Sequence, residues 1–300
     1  MQNQSEDIKG KICLITGATS GIGKVTAREL ARKGARLVIV SHNQLKCENT
    51  VASIQDETGN KDIEYMVADL SSQDQIHQLA SGFLDRHDHL DVLINNAGAI
   101  FLSREVSVDG IEMTWALNHL NYFLLTNLLL DTLKASAPAR IINVASAAHR
   151  GAKINFDDLQ AEHHFNGMQA YSQSKLANIL FTYELARRLQ GTQVTANALH
   201  PGFVASNFAK NNGGLVRLGM GVAQLFAISP EKGAETSIYL ASSPEVEGIS
   251  GSYFVKKEAV RSDPASYNEE TAQKLWQVSE AMTGFTEGQN LTVMDTSHSG

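Results

Sequence analysis

The chain has 300 residues, of which 43% are hydrophobic and 19% charged, as is ordinary for a soluble globular protein. Its formal net charge is −7 and no run of lysine and arginine stands out, which disfavours binding to nucleic acid or to an anionic membrane. The two cysteines, Cys13 and Cys47, provide no disulfide framework. With a polar N-terminus and no apolar segment long enough to span a bilayer, the sequence predicts a cytoplasmic protein.

Apolar runs typical of buried strands alternate with helical patterns along most of the chain. The patterns predict strands at residues 11–15, 36–40, 63–67, 91–94, 139–145, 193–199 and 252–255. They predict helices at residues 22–33, 44–58, 73–87, 108–135, 168–190, 230–242 and 267–282. This alternation favours a single α/β domain built on a doubly wound parallel sheet of seven strands, with helices on both faces.

The domain is predicted to span residues 9–285. It follows a polar tail at residues 1–8 and precedes a tail at 286–300 that is expected to be disordered. Three stretches interrupt the alternation of strands and helices. They are the insertion at 151–167, a segment at 201–228 and a C-terminal extension at 256–285, whose role the sequence does not indicate.

A glycine-rich turn, Thr-Gly-Ala-Thr-Ser-Gly-Ile-Gly at residues 16–23, follows the first predicted strand. Glycines at this place allow a tight turn and let backbone N–H groups approach a pyrophosphate at the helix N-terminus. A simple connection between strand and helix is the alternative. The turn favours dinucleotide binding, with contacts from Gly17, Thr19, Ser20, Gly21, Ile22 and Gly23.

The second predicted strand ends in Ser41, His42 and Asn43, without an acidic residue. An acid there would bind the ribose hydroxyls of NAD, so its absence favours NADP(H), with NAD(H) as the alternative. Lys24, just past the glycines, could add positive charge near a 2′-phosphate, although no arginine is present to bind that phosphate bidentately. His42 could equally be a solvated surface residue.

Two further motifs follow later in the chain. Asn-Asn-Ala-Gly at residues 95–98 comes directly after the fourth strand, where small residues suit a close approach to a ligand; a stabilising turn is the alternative. Tyr171 and Lys175 lie four residues apart in a predicted helix and share one face. An ammonium about 4 Å away stabilises a phenolate by roughly 4 kcal/mol. The tyrosine pKa would then fall from about 10, which makes its hydroxyl a usable proton donor and acceptor.

The three motifs, in this order and spacing, resemble the short-chain dehydrogenase/reductase family over residues 9–254. Residues 140–149 and 171–181 are most similar to the branch that contains the retinol dehydrogenases and the WW-domain oxidoreductase. The resemblance implies a single-domain Rossmann fold and an NAD(P)-dependent oxidoreductase acting on CH–OH donors.

The resemblance also implies a role for each matching residue. Tyr171 would be the general acid in carbonyl reduction and the base in alcohol oxidation, and Lys175 would lower its pKa and bind the nicotinamide ribose. Ser146 would hold the substrate oxygen, and Asn118 would hold a water that connects Lys175 to solvent. Cofactor contacts beyond the glycine turn would come from Ser41, His42, Asn43, Asp69, Leu70, Asn96, Ala97, Gly98, Tyr171, Lys175, Pro201, Gly202 and Val204.

The chain departs from the family pattern at two places. Ser146 and Tyr171 are 171 − 146 = 25 residues apart, against a family spacing of about a dozen, so the insertion at 151–167 is expected to be a solvated or substrate-covering loop. Its histidines, His163 and His164, are not at helical ligand spacing and predict no metal site. His149 is not expected to be catalytic. His42 stands where the branch usually has arginine, which weakens the NADP assignment.

The substrate side is apolar. Residues 201–228 are predicted to form a lid with glycine hinges. The apolar side chains expected near the site are Ile100, Phe101 and Leu102 after the fourth strand, and Phe203, Phe208, Leu215, Leu218, Met220, Leu225 and Phe226 in the lid. Ordinary packing of a surface helix is the alternative. An apolar lid favours a lipophilic alcohol, aldehyde or ketone as the substrate.

Reversible hydride transfer between NADP(H) and a hydrophobic alcohol, aldehyde or ketone is therefore the predicted function. One alternative is a dinucleotide-binding redox sensor or scaffold without turnover, although a sensor does not require Ser146, Tyr171 and Lys175 together. Another is an NAD-dependent enzyme that acts on a more polar alcohol. The resemblance further implies a homodimer or homotetramer, formed through the faces of helices 108–135 and 168–190.

Overall fold

The computed structural model describes residues 8–202 and 228–286. The strands are β1 (Ile12–Thr16), β2 (Arg36–Ser41), β3 (Ile63–Val67), β4 (Val92–Asn95), β5 (Ala139–Val144), β6 (Val194–His200), β7 (Tyr253–Val255) and β8 (Glu258–Val260). The α-helices are α1 (Gly21–Arg32), α2 (Gln44–Thr58), α3 (Gln73–Leu84), α4 (Met113–Trp115), α5 (Asn121–Leu128), α6 (Leu130–Ala135), α7 (Gly167–Arg188), α8 (Pro230–Ser242) and α9 (Glu269–Thr283).

The strands form one sheet in the order β3-β2-β1-β4-β5-β6-β7-β8. Neighbouring strands are parallel from β3 to β7, and β8 pairs with β7 in the antiparallel direction. Every residue of β1 is buried, because apolar clusters pack against both faces of the sheet. The strand order reverses between β1 and β4, and in such sheets ligands bind at the carboxyl ends of the strands near this point.

The predicted fold class is confirmed, with one strand more than the seven expected. The additional strand, β8, is exposed at all three of its residues, and two of them, Glu258 and Ala259, are weak strand formers. It therefore lacks the apolar run by which the other strands were predicted. Lys256 and Lys257, which both have positive φ, form the two-residue turn between β7 and β8.

The predicted helix 108–135 is divided into several parts. It begins at Met113, after a turn at Gly110 with φ +75° and after Glu112, whose carboxylate accepts the N–H groups of Thr114 and Trp115. A π-helical turn, Ala116–Leu120, separates α4 from α5. Single π-turns inside helices occur frequently at functional sites, and this one carries Asn118.

The C-terminal helix α9 covers the outer faces of α5 and α7. The ring of Trp276 lies 5.0 Å from that of Phe123 and 5.7 Å from that of Phe181, between ring centroids, and the Arg188 guanidinium lies 4.0 Å from the Trp276 ring. These are the helices through which self-association is expected. The chain's own extension occupies part of that surface, and the oligomeric state stays a prediction.

Several predictions fall on segments that the structure does not describe. They are the lid between residues 203 and 227, residues 1–7 of the first tail and residues 287–300 of the last. Within the described ranges no helix is both long and apolar enough to cross a bilayer. Over the same residues no group of three or more histidine, cysteine or carboxylate side chains is placed to hold a metal ion.

Candidate active site

The loops that follow β1 and β4 are joined by hydrogen bonds at the carboxyl edge of the sheet. Thr16 Oγ1 accepts the N–H groups of Asn96 at 2.9 Å and Ala97 at 3.0 Å. In return, Asn96 Nδ2 donates to the carbonyl oxygens of Thr16 at 2.8 Å and Gly17 at 3.2 Å. The Asn-Asn-Ala-Gly motif therefore holds the glycine-rich turn in place, and its contact with a ligand stays a prediction.

The glycines of the first turn are required by this close approach. Gly17 has φ +66°, and a Cβ built on it would lie 2.9 Å from the Cα of Ala97. A Cβ on Gly23 would overlap the carbonyl oxygen of Gly17 and lie 2.6 Å from Asn96 Nδ2. At the start of α1, the Ser20 side chain makes no capping hydrogen bond. The N–H groups of the first helical turn therefore lack a side-chain cap, as a phosphate-binding helix N-terminus requires.

Residues predicted to contact the adenosine end lie beside this turn. The Thr19 hydroxyl donates to Ser41 Oγ at 3.1 Å, and His42 is exposed. The Asn43 side chain caps α2 by accepting the N–H of Lys46 at 2.9 Å, and Lys24 Nζ donates to Ser53 at 3.3 Å. Asn43 and Lys24 thus have structural partners of their own. After β3, Asp69 binds the N–H and hydroxyl of Ser71 at 2.9 and 2.7 Å, and Leu70 is buried.

Ser146, Tyr171 and Lys175 come together beyond the end of β5. The Ser146 side chain hydrogen-bonds the Tyr171 phenol, and Ser146 Oγ also accepts the N–H of Ala148 at 3.2 Å. One helical turn beyond Tyr171, the buried Lys175 ammonium donates to the carbonyl oxygen of Val144 at 3.0 Å. Lys175 Nζ lies 5.7 Å from the centroid of the Tyr171 ring. The structure therefore brings Ser146, from the turn after β5, to Tyr171 and Lys175 of α7.

Burial has the largest effect on the pKa values of Tyr171 and Lys175. It raises the pKa of Tyr171 to about 12, against the opposing effect of the Ser146 hydrogen bond. It also lowers the pKa of Lys175 to about 7. In the protein alone, burial thus raises the Tyr171 pKa, which is opposite to the lowering expected from Lys175, and that role of Lys175 stays a prediction. At neutral pH Tyr171 is a protonated phenol, the form that a general acid requires.

The side chain of Asn118 forms hydrogen bonds with other groups of the protein. Its Nδ2 donates to the carbonyl oxygen of Ala99 at 2.9 Å and to Ser174 Oγ at 3.1 Å, and its Oδ1 accepts the N–H of Ala99 at 2.9 Å. Its backbone carbonyl accepts Asn178 Nδ2 at 2.9 Å. A Cβ on Gly98 would lie 2.9 Å from Asn118 Oδ1 and 3.4 Å from Lys175 Nζ. The loop after β4 therefore lies directly against the catalytic candidates, and the water role of Asn118 stays a prediction.

Several residues near the site were not found by sequence reasoning. Ser174 and Asn178 bind Asn118 from the same face of α7 as Tyr171, and their spacing of three and seven residues from Tyr171 could have indicated this. His200 Nδ1 accepts the N–H of Ala147 at 3.2 Å, in the turn that follows Ser146. Burial lowers the pKa of His200 to about 4, so it remains neutral and can accept this bond.

The insertion at 151–167 packs over the start of α7. Together they line an open cavity of about 460 Å³, whose lining includes Lys153, His164, Met168, Ala170 and Ser172. The last two flank Tyr171 in the chain, but Tyr171, Ser146 and Lys175 do not themselves line the cavity. Past the end of β6, Pro201 and Gly202 are half-buried, and Val204 lies outside the described residues.

Comparisons with known proteins agree with this geometry. The profile of the short chain dehydrogenase family matches residues 11–214. Human retinol dehydrogenase 14 is 43% identical over 92% of this chain and 87% of its own length. Bovine retinol dehydrogenase 12 is 44% identical with the same coverage, and human polyprenol dehydrogenase is 41% identical over 91% of this chain and 85% of its own length.

Solved structures show the same fold. A protein from Mycobacterium paratuberculosis superposes with a TM-score of 0.75 at 32% identity, covering 93% of this chain and 97% of its own. The Pseudomonas aeruginosa RhlG/NADP active-site complex superposes with a TM-score of 0.67 at 27% identity, covering 84% of this chain and 97% of its own. The chain belongs to the short-chain dehydrogenases, in their retinol dehydrogenase branch, and is an NAD(P)-dependent oxidoreductase that acts on CH–OH donors.

Proposed function

We propose that Ser146, Tyr171 and Lys175, supported by Asn118, catalyse reversible hydride transfer between NADP(H) and a lipophilic alcohol, aldehyde or ketone. The observation that carries the proposal is the hydrogen bond between the half-buried Ser146 side chain and the buried Tyr171 phenol, one helical turn from Lys175. Two hydroxyl groups held together in this way provide two hydrogen bonds for one substrate oxygen.

In carbonyl reduction a bound nicotinamide cofactor would be the source of the hydride that adds to the carbonyl carbon. The developing charge on the carbonyl oxygen is stabilised by hydrogen bonds from Ser146 and Tyr171, and the Tyr171 O–H bond then breaks to give its proton to that oxygen. The product is an alcohol and a Tyr171 phenolate. Alcohol oxidation uses the same steps in reverse, with the phenolate accepting the hydroxyl proton.

Lys175 lowers the free energy of forming the Tyr171 phenolate in this buried site. Burial opposes charge on both side chains, so a phenolate and an ammonium are each unfavourable alone. Formed together, they stabilise one another strongly because little water screens them. The carbonyl of Val144, which accepts a hydrogen bond from Lys175 at 3.0 Å, holds the amine in this position.

The glycine-rich turn and the loop after β4 are proposed to bind the cofactor. The pyrophosphate would lie at the N-terminus of α1, against Thr19, Ser20, Gly21, Ile22 and Gly23, and the nicotinamide end would lie near Gly98 and Lys175. NADP(H) is favoured because the end of β2 carries Ser41, His42 and Asn43 and no acid that would repel a 2′-phosphate. A related structure is an NADP complex. His42→Arg should raise the preference for NADPH over NADH, and His42→Asp should reverse it.

The proposed substrate is lipophilic. Relatives over most of the chain are named for retinol and for polyprenol, which are lipophilic alcohols. Ile100 and Phe101 are buried apolar side chains in the loop beyond Gly98, and Gly167 at the start of α7 lies directly against the backbone of Phe101. The predicted lid would add further apolar side chains.

The deciding experiment is oxidation of NADPH, with NADH in parallel, over aldehydes and ketones of increasing chain length. The proposal expects turnover that rises with chain length and that Tyr171→Phe reduces by at least about a hundredfold, with nearly unchanged cofactor affinity. Retained turnover in this variant would contradict the role of Tyr171. Tight cofactor binding without turnover on any carbonyl would favour the redox sensor, whereas preference for NADH and short polar carbonyls would favour an NAD-dependent enzyme.

A cytoplasmic location and self-association as a dimer or tetramer remain part of the proposal. Both cysteines, Cys13 and Cys47, are buried and free, which fits a reducing compartment. Cell fractionation would test the location. Light scattering of the purified protein would test the oligomeric state, with a mass near 32.6 kDa contradicting it.

A further inference from the structure

His149 joins the catalytic serine to a distant part of the chain. Ser146 begins the short 3₁₀ turn Ala147–His149, and His149 Nδ1 lies 2.6 Å from the carbonyl oxygen of Ser146. On the other side of the ring, Nε2 accepts the backbone N–H of Asp263 at 3.1 Å. Because an N–H group can only donate, Nε2 must be the unprotonated nitrogen, and Nδ1–H donates to Ser146.

This arrangement requires a neutral imidazole in a buried setting. His149 has no exposed surface, and its ring meets that of Tyr253 edge-on at 5.0 Å between centroids. Burial lowers the pKa of His149, which keeps it in the neutral form that donates on one side and accepts on the other. The charged or titratable side chains that face the His149 ring are Arg150, His200, Tyr253 and Asp263.

The segment that contains Asp263 is itself held firmly. The Asp263 carboxylate accepts the N–H of Gly151 at 2.9 Å and that of Ala265 at 2.9 Å. The preceding Ser262 hydrogen-bonds the Tyr183 hydroxyl of α7 at 2.8 Å. The C-terminal extension thus crosses to the Ser146 turn at two points, through His149 and through Gly151, while remaining attached to the helix that carries Tyr171.

We propose that His149 is a positioning residue through which the C-terminal extension, at Asp263, fixes the orientation of Ser146 in the active site. The inference rests on the catalytic role proposed for Ser146. It assigns a function to an extension whose role the sequence does not indicate, and to a histidine that does not itself touch the reacting atoms.

His149 can affect the orientation of Ser146 because of the atoms that its hydrogen bonds join. His149 binds the carbonyl of Ser146 itself, and the Ser146 hydroxyl is oriented by a second bond within the same turn, from the N–H of Ala148 at 3.2 Å. Without His149 to tie it to Asp263, the turn could rotate about the end of β5. The hydroxyl would then shift relative to Tyr171, and a displacement of about 1 Å can reduce a rate by about a hundredfold.

His149→Phe is the first test. Phenylalanine preserves an aromatic ring against Tyr253 and removes both hydrogen bonds. We expect kcat for carbonyl reduction to fall about tenfold, within the range that misplacement can cause, while the NADPH dissociation constant stays unchanged. His149→Gln retains one donor and one acceptor and should recover part of the loss. An unchanged kcat in His149→Phe, or equal losses in both variants, would overturn the inference.

Two substitutions of Asp263 test the donor of the hydrogen bond to His149, which is the backbone N–H of Asp263. Asp263 has φ −61°, the value that proline adopts. Asp263→Ala removes the carboxylate but retains the backbone N–H, whereas Asp263→Pro removes both. Greater loss of kcat in the proline variant than in the alanine variant is therefore expected, with similar melting temperatures. Equal kcat values in this pair would contradict a role for the N–H group.

Combining the two sites isolates the link between them. In a His149→Phe background the N–H of Asp263 has no acceptor, so proline and alanine at 263 should give the same kcat. A proline effect that persists there would overturn the inference. Ser146→Ala separates the inference from the proposed function: a fully active Ser146→Ala variant refutes the role of Ser146, whereas an inactive one together with a normal His149→Phe refutes only the positioning role.

Discussion

Asn118 and Ala99 exchange two hydrogen bonds of 2.9 Å each, one from the amide nitrogen of Asn118 and one to its amide oxygen. The pair closes a ring between the π-turn and the loop that carries the Asn-Asn-Ala-Gly motif. Only an amide side chain provides a donor and an acceptor at this spacing. Asn118 therefore attaches the loop after β4 to the helix layer, directly beside Gly98 and Lys175.

Asn118→Asp tests this attachment with almost no change in shape. A carboxylate would place an oxygen against the carbonyl of Ala99, leaving that buried group without its donor. We expect the free energy of unfolding to fall by about 1–3 kcal/mol and both kcat and cofactor affinity to decrease. Urea unfolding and NADPH fluorescence titration would measure these effects. Asn127→Asp is the matched control, since it removes a comparable bond to the carbonyl of Phe123 within α5. It should lower stability but not cofactor affinity.

The sequence predicts most of the fold because the buried strands and helices have strong apolar periodicity. The helices predicted at 44–58 and 230–242 match α2 and α8 at both ends. Strand β8 and the division of helix 108–135 were not predicted. The first has no apolar run, and the second depends on a turn at Gly110 and a π-turn that the apolar pattern does not reveal.

The active site likewise has residues that the sequence identifies and contacts that it does not. Ser146, Tyr171 and Lys175 belong to a family motif, and so they could be named from the sequence alone. The contacts of His149 with Asp263 and of Asn118 with Ala99 join residues far apart in the chain, which local patterns do not encode. The pKa values of Tyr171 and Lys175 depend on burial, which spacing along a helix does not give.

Gly98→Ala should impair catalysis while leaving the fold largely intact. The added methyl would lie 2.9 Å from Asn118 Oδ1, an atom held in place by Ala99, so the loop must shift. We expect kcat/KM to fall about tenfold or more, because a small displacement beside the reacting groups is costly. Gly82→Ala in α3 is the control, since its methyl would meet only the flexible end of Met66 at 3.2 Å. It should leave kcat/KM unchanged; an equal loss in both variants would contradict the prediction.

Lys175→Met should abolish activity without destabilising the protein. At pH 7 the folded chain holds Lys175 away from water, with a pKa of about 7 against 10.5 for the free side chain. The unfolded chain therefore binds more protons between pH 7 and 10.5, and burial of this amine costs stability that is regained as pH rises. We expect a melting temperature equal to or above wild type at pH 7, an advantage that shrinks towards pH 10, and a kcat at least about a hundredfold lower. A marked fall in melting temperature at pH 7 would instead show that the bond to Val144 stabilises the fold.

His119 provides a second contact between the C-terminal extension and the active-site region, this time through helix α9. Its Nε2 lies 2.9 Å from Ser279 Oγ of α9, and its Nδ1 lies 3.4 Å from the Oδ1 of Asn178, which also binds the backbone of Asn118. Burial lowers the pKa of His119 to about 4 from 6.5. Protonation would place a charge in a fully buried site.

Stability should therefore decrease as the pH falls from about 6.5 to about 4. In this window the unfolded chain binds the proton and the folded chain does not, so the free energy of unfolding decreases, by about 3 kcal/mol from His119 once the pH reaches 4. His200, whose pKa burial also lowers to about 4, adds to the same slope. Thermal unfolding between pH 4 and 7 would measure the effect. His119→Gln preserves a partner for Ser279 but does not titrate, so it should flatten the slope, with the same substitution at exposed His164 as the surface control. If His119→Gln retains the wild-type slope, His119 does not carry the acid sensitivity, and the titrating group lies elsewhere in the fold.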